Sequence, residues 1–197
     1  MNILEYILFG EDIDVNDNSG PARREAIAYH EAAHAVVAWA HGHEVREVRI
    51  KATGGATEIK YGEYVPEDPK GLATPDELAN AQAVFNLMIR IRVSLAGALA
   101  ERRFTGRWNL EAAHVDLVEA YVRAREIQAL TGRSWESRIQ TERDITERFY
   151  LDVHWPLIEA LAALLIKKGR ARRRDLEWIL SRQPGAALSQ MRSSPAA

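Results

Sequence analysis

His30 and His34 stand four positions apart inside an apolar, alanine-rich run, Ile27-Ala28-Tyr29-His30-Glu31-Ala32-Ala33-His34-Ala35-Val36-Val37. On a helix, steps of about 100° per residue put the two imidazoles about 40° apart on one face, one turn apart along the axis. Gly20-Pro21 suits the opening of such a helix, with proline in the first turn, and Gly42 suits its stop. The apolar flanks set the pair into a core rather than on a charged surface. Two imidazoles so placed can close on one zinc ion with bonds of about 2.0–2.1 Å. Glu31, beside the first of them, can serve as the base for a water at that ion.

The chain has no cysteine, which excludes disulfide scaffolds, thiolate metal sites, thiol nucleophiles and iron–sulfur clusters. Any metal must therefore be held by His, Asp or Glu. His-Glu-x-x-His alone is a modest signal, since chance gives it in roughly 2 % of chains of this composition. A buried helix with two partly exposed histidines and a solvated Glu31 is the bland alternative. A metal site needs a third ligand, and the residues leave several open. Asp116 lies near the start of a later helix. Glu101 lies on a neighbouring helix, as ligand or as partner to a ligand. Glu58 follows His34 at a spacing nearer to other zinc peptidases. His114 is two residues from Asp116, so the two do not easily face one metal.

A length of 197 residues argues for one domain with a core of its own. With 26 basic and 28 acidic residues the net charge is −2, so neither nucleic acid nor a membrane surface is an expected partner. The longest apolar stretch, near Leu157 to Ile166, is short of the roughly 20 residues a membrane span needs. Met1 to Asp17 lacks the basic start of a signal peptide, so a cytoplasmic protein is expected.

Along the chain, residues 1–19 read as an extension. Val45 to Ile50 reads as a strand, Gly54-Gly55 as a turn, and Ala56 to Tyr64 as a second strand with Thr57, Ile59 and Tyr61 on one face. Thr74-Pro75-Asp76-Glu77 is a capping box opening a long helix to about Phe104, with a break expected near Gly97. A Trp-containing loop over 105–109 precedes a helix to about Leu130, stopped by Gly132. A further helical stretch runs from Ser134 to Lys168, kinked or split at Pro156. A short helix over 173–180 follows, and 184–197 read as a disordered tail. The basic run over 167–174 reads as a solvated helix end rather than a binding patch. His41 and His43 read as surface residues at the helix stop, and His154 as part of a packed kink. The expected class is mainly α with a small β element.

Three ordered segments resemble the peptidase domain of the FtsH-type membrane-anchored AAA+ proteases. They are Ala28-Tyr29-His30-Glu31-Ala32-Ala33-His34-Ala35-Val36-Val37, Ser94-Leu95-Ala96-Gly97-Ala98-Leu99-Ala100-Glu101 and Ala113-His114-Val115-Asp116-Leu117. The first departs from the family's usual pattern, with Ala33 at a glycine position. The resemblance covers about residues 22–182 and implies one peptidase-like domain over 20–183. That domain would have a zincin-like active helix on a small sheet, followed by a C-terminal helical bundle. It implies one zinc ion held by His30, His34 and Asp116, with Glu31 as base, and peptide-bond hydrolysis as the activity. It also implies a polypeptide substrate held against a sheet edge, for which Ala56 to Tyr61 is the candidate. No Gly-x-x-x-x-Gly-Lys-Ser/Thr occurs in the chain, so it would act without ATP by itself or beside a separate ATPase partner. Self-assembly into a homo-oligomer is a further expectation. A regulatory peptidase with one protein target, or a non-catalytic interaction module keeping the fold, are the alternatives.

Overall fold

The computed structural model describes residues 21–68, 71 and 73–180. The extension expected over 1–19 and the tail expected over 184–197 lie outside the described residues. The architecture is mainly helical, with one small antiparallel sheet.

Helix α1 (Pro21–Ala40) runs through the centre. Ala28, Ala32, Ala33, Ala35, Val36, Val37 and Ala38 are fully buried. Short side chains on most of its surface let neighbouring helices approach closely, which is why an alanine-rich helix with little long apolar bulk can still be a core helix. It packs against α2 (Pro75–Thr105) and α5 (Asp152–Lys168), and against the sheet.

Strands β1 (Glu44–Lys51), β2 (Gly54–Lys60) and β3 (Arg170–Arg172) form the sheet in the order β2-β1-β3, both pairs antiparallel. The hairpin differs from expectation. Its turn is Ala52-Thr53, while Gly54 and Gly55 lie within β2, paired with Lys51 and Ile50. The strand ends at Lys60 rather than Tyr64. Gly55 is there because the side chain of Glu31 lies against it: a Cβ at this position would overlap Glu31 Cγ. Thr57, Ile59 and Tyr61 are half-buried while Glu58 and Lys60 are exposed, as the alternation predicts.

The third strand is a correction to the reading of the basic run. Lys167 and Lys168 end α5, but residues 170–172 pair with β1, and Arg173 opens α6 (Arg173–Leu180). The fully buried Ala171 opposite Val48 draws the segment onto the sheet. Much of the charge is paired within the fold. Arg170 meets Glu47, Arg173 meets Glu44 and Glu177, and Lys168 meets Asp175.

Helix α2 has both hydrogen bonds of its capping box at Thr74 and Glu77, and stops at Gly106 in the left-handed conformation. It does not break at Gly97, whose role is a contact described below. Helix α3 (Leu110–Thr131) starts on an Asn109 cap and stops at Gly132. Helix α4 (Trp135–Ile145) continues through a π-helical turn, Thr146–Leu151, into α5. Pro156 therefore does not split this run. The widened turn lies immediately before the turn in which the proline ring must clear the carbonyl of Asp152.

Two helical runs, Pro75–Thr105 and Trp135–Lys168, are by length and composition apolar enough to cross a membrane, contrary to the sequence expectation. Isolated charges interrupt the apolar residues of both, so no unbroken apolar run marks them in the sequence. The most apolar part of the first is 61 % buried by the rest of the fold and that of the second 33 %.

Candidate metal centre and active site

Three helices converge on the two histidines. From α1, His30, Glu31 and His34 are all buried. Helix α2 passes over them at Gly97, where a Cβ would stand 2.5 Å from Nε2 of both His30 and His34. The missing side chain keeps the space in front of those two nitrogens open. Helix α3 brings in Asp116, whose Oδ2 lies 2.9 Å from His30 Nε2 and 3.3 Å from His34 Nε2. His30, His34 and Asp116 form a largely buried group that could hold a metal ion, with one ligand atom from each within 4.8 Å of the others.

The outer ring nitrogens decide which way the lone pairs point. His34 Nδ1 lies 2.7 Å from the carbonyl oxygen of Val93. A carbonyl only accepts, so Nδ1 carries a proton, and Nε2 is the nitrogen left to face Asp116 or, once deprotonated, a metal. His30 Nδ1 meets Glu101 Oε2 at 3.0 Å, and the carboxylate holds that ring in the same sense. The other oxygen of Glu101 accepts from Asn109 Nδ2 at 2.9 Å. The two imidazole planes stand at 74° with centroids 4.7 Å apart, and the inner nitrogens of both rings share Asp116 Oδ2 as a neighbour.

The donor set fits a zinc ion. Bonds of about 2.0–2.1 Å in a tetrahedron require ligand atoms about 3.3 Å apart, close to the spacings of Asp116 Oδ2 from the two nitrogens. Two neutral imidazoles and one carboxylate suit that metal, and Gly97 leaves room for it.

Without a metal the three groups titrate as one cluster. Burial works against charge on His30, but hydrogen bonds to Asp116 and Glu101 outweigh it and push its pKa up to about 10. Burial also works against charge on His34; attraction to Asp116 outweighs it and raises that ring above its ordinary value. For Asp116, burial favours the neutral acid, but the two histidines hold its carboxyl well below the usual carboxylate range.

Glu31 is held by the sheet. Thr57 Oγ1, on β2, lies 2.7 Å from Glu31 Oε2 and donates to it. Glu31 thus sits between its helix and strand β2, with Gly55 beneath it. Both line a cleft of about 1020 Å³ that also takes in His30, His34 and Asp116. Among the described residues β2 pairs only with β1, and none of them pairs with its outer edge along this cleft.

The other third-ligand candidates do not join the group. Glu58 is exposed and pairs with Arg46. His114 is exposed on the far side of its helix turn. Glu101 is buried, but it meets the outer nitrogen of His30 and stands behind that ring rather than beside Asp116.

His41 and His43 are not surface residues. His43 is buried, and its Nδ1 accepts from the Gly62 amide at 3.1 Å. The half-buried His41 ring lies 4.6 Å from Tyr150. Burial pushes both below their ordinary value, His41 to about 3. His154 packs edge-on to Trp39.

Gly55, Thr57, Gly97 and Asn109 touch the side chains of this centre in ways the sequence reading did not foresee. Two glycines inside otherwise regular elements were the available signal for close approach. Nothing local marked Thr57. No protein-family model matches the chain, and no curated protein is detectably similar to it.

Proposed function

We propose that the protein is a zinc-dependent endopeptidase acting on flexible or unfolded polypeptide, with the zincin-like arrangement of the FtsH-type peptidase domain. The observation that carries this reading is the convergence of His30 Nε2, His34 Nε2 and Asp116 Oδ2 beside a buried Glu31 tied to an open sheet edge. His30, His34 and Asp116 would hold the ion. When bound, zinc supplies Lewis acidity toward a peptide carbonyl and toward water. Glu31 takes the proton of the attacking water and passes it to the leaving amine, and Thr57 holds the carboxylate in place for both transfers. Strand β2 offers its outer edge, which no other described strand pairs with, to an extended substrate, which fixes the scissile bond over the site by strand addition.

Strand addition needs an extended segment, and a folded domain does not present one from its interior. The chain carries no P-loop motif, so its own hydrolysis is ATP-independent and confined to flexible segments. On this reading the protein works in the cytoplasm, and a separate ATPase would be the partner that delivers folded substrates.

The test is elemental analysis of purified protein beside cleavage of casein-type and tightly folded substrates, with and without ATP. One zinc per chain, chelator-sensitive cleavage of the unfolded substrate alone, and a zinc-loaded but inactive Glu31→Gln variant are expected. Hydrolysis by Glu31→Gln at the wild-type rate would overturn the mechanism. Absence of bound zinc would overturn the metal assignment.

A further inference from the structure

The hydrogen bonds behind the proposed metal ligands form a closed circuit through three helices, and one side chain closes it. Asp116 on α3 faces His30 on α1; His30 Nδ1 meets Glu101 on α2; Glu101 Oε1 accepts from Asn109 Nδ2 at 2.9 Å. Asn109 in turn caps α3, its Oδ1 accepting from the Ala112 amide at 3.2 Å. We infer that Asn109 is a positioning residue that sets the His30 and Asp116 ligands together, because its amide caps the Asp116 helix with one atom and holds the Glu101 carboxylate with the other.

The residue type follows from these two tasks. Asn, Asp, Ser and Thr are all good caps, because capping needs only an oxygen that accepts. Holding an ionised carboxylate needs a donor. Asparagine alone of the four carries acceptor and donor on separate atoms of a rigid plane. Aspartate would cap but set a second carboxylate against Glu101. Serine would cap, but its hydroxyl sits one bond nearer the backbone, on the helix side. The amide has one orientation that satisfies both partners, since the Ala112 N–H can only donate and Glu101 only accept. The loop before the cap is held independently. Thr105 Oγ1 donates to the Glu101 carbonyl at 2.8 Å, and Arg102 lies 4.5 Å over the Trp108 ring. Losing the Asn109 donor should therefore release the Glu101 carboxylate rather than the loop.

This assignment rests on the zinc reading. The experiment measures zinc affinity by competition titration and thermal unfolding of the zinc-free protein for wild type, Asn109→Ser, Asn109→Asp and Asn109→Ala. The first two are repeated in a Glu101→Ala background. Asn109→Ser should melt with the wild type, because the cap survives, yet bind zinc about tenfold more weakly, the low end of the range for groups that orient a ligand. Asn109→Asp should bind more weakly still, and Asn109→Ala should lose both affinity and melting temperature. In the Glu101→Ala background Asn109→Ser should cost less than about twofold, because its effect runs through that carboxylate. Wild-type affinity in Asn109→Ser, or an equal loss in both backgrounds, would overturn this assignment alone. A wild-type protein that takes up no zinc would overturn the zinc reading and this assignment with it.

Discussion

Thr57 Oγ1 donates to Glu31 Oε2 across 2.7 Å, joining strand β2 to the helix that carries both histidines. The same hydroxyl is 3.1 Å from the Glu31 carbonyl, but it has one proton, and the shorter contact to a carboxylate takes it. On the proposed reading, the strand that would receive substrate is thus also the strand that orients Glu31. Thr57→Val, which keeps the shape and loses the donor, should lower kcat about tenfold through a misplaced general base while leaving zinc content intact. Thr57→Ser should restore most of it. Steady-state kinetics on a peptide substrate read this out, and an unchanged kcat in Thr57→Val would remove the role.

Asp116 and Glu101 differ in which histidine nitrogen they meet, and their variants should differ accordingly. Asp116→Ala leaves two imidazoles, a poor site for a metal that normally keeps three protein ligands, and should abolish measurable zinc retention. Glu101→Ala should weaken zinc by about 10–100-fold. Zinc titration ranks the two, and the reverse order would make Glu101 the ligand.

Gly97→Ala sets two effects against each other. Alanine in a helix interior is worth about 1 kcal/mol over glycine. Here the added Cβ would lie 2.5 Å from both inner imidazole nitrogens, so α1 and α2 must part or the rings must turn. Overpacking of this kind costs about 1–3 kcal/mol and should win. The variant should melt below the wild type and lose zinc. A stabilised protein that still binds zinc would show that the contact gives way freely.

The metal-free site has a definite pH signature. His30 is raised from 6.5 to about 10 in the folded protein, so its contribution to stability is complete below pH 6.5 and is lost as pH climbs toward 10. His34 is raised too and acts in the same direction. The depressed Asp116 contributes above its ordinary 3.8 and loses that contribution only in stronger acid. Chelated protein should therefore show a melting temperature that falls between pH 6.5 and 10. Zinc affinity should rise over the same interval, since the metal must displace protons from both rings. A melting temperature that rises through that interval would contradict the protonated cluster.

Much of the framework is local and so was legible. His30 and His34 share a face because a helix repeats every 3.6 residues, and the apolar flanks of that helix bury it. The capping box at Thr74 and the stop at Gly132 act within one turn of chain, and the helices begin and end there. The absence of cysteine limited the donor set to nitrogen and oxygen before any fold was known. Composition and spacing alone could not choose among Asp116, Glu101, Glu58 and His114, because that choice depends on which helix crosses which. The crossing is set by packing: an alanine-rich α1 admits α2 at Gly97, and α3 then lies where Asp116 reaches both rings. The same crossing turned an expected helix break at Gly97 into a contact. Burial of Ala171 against β1 turned part of a basic run into a strand, a pairing between residues some 120 positions apart that no local window contains. Thr57 and Asn109 acquire their roles in the same way. A hydroxyl and an amide are ordinary polar groups in the chain, and only the tertiary structure places each within hydrogen-bond reach of a buried carboxylate.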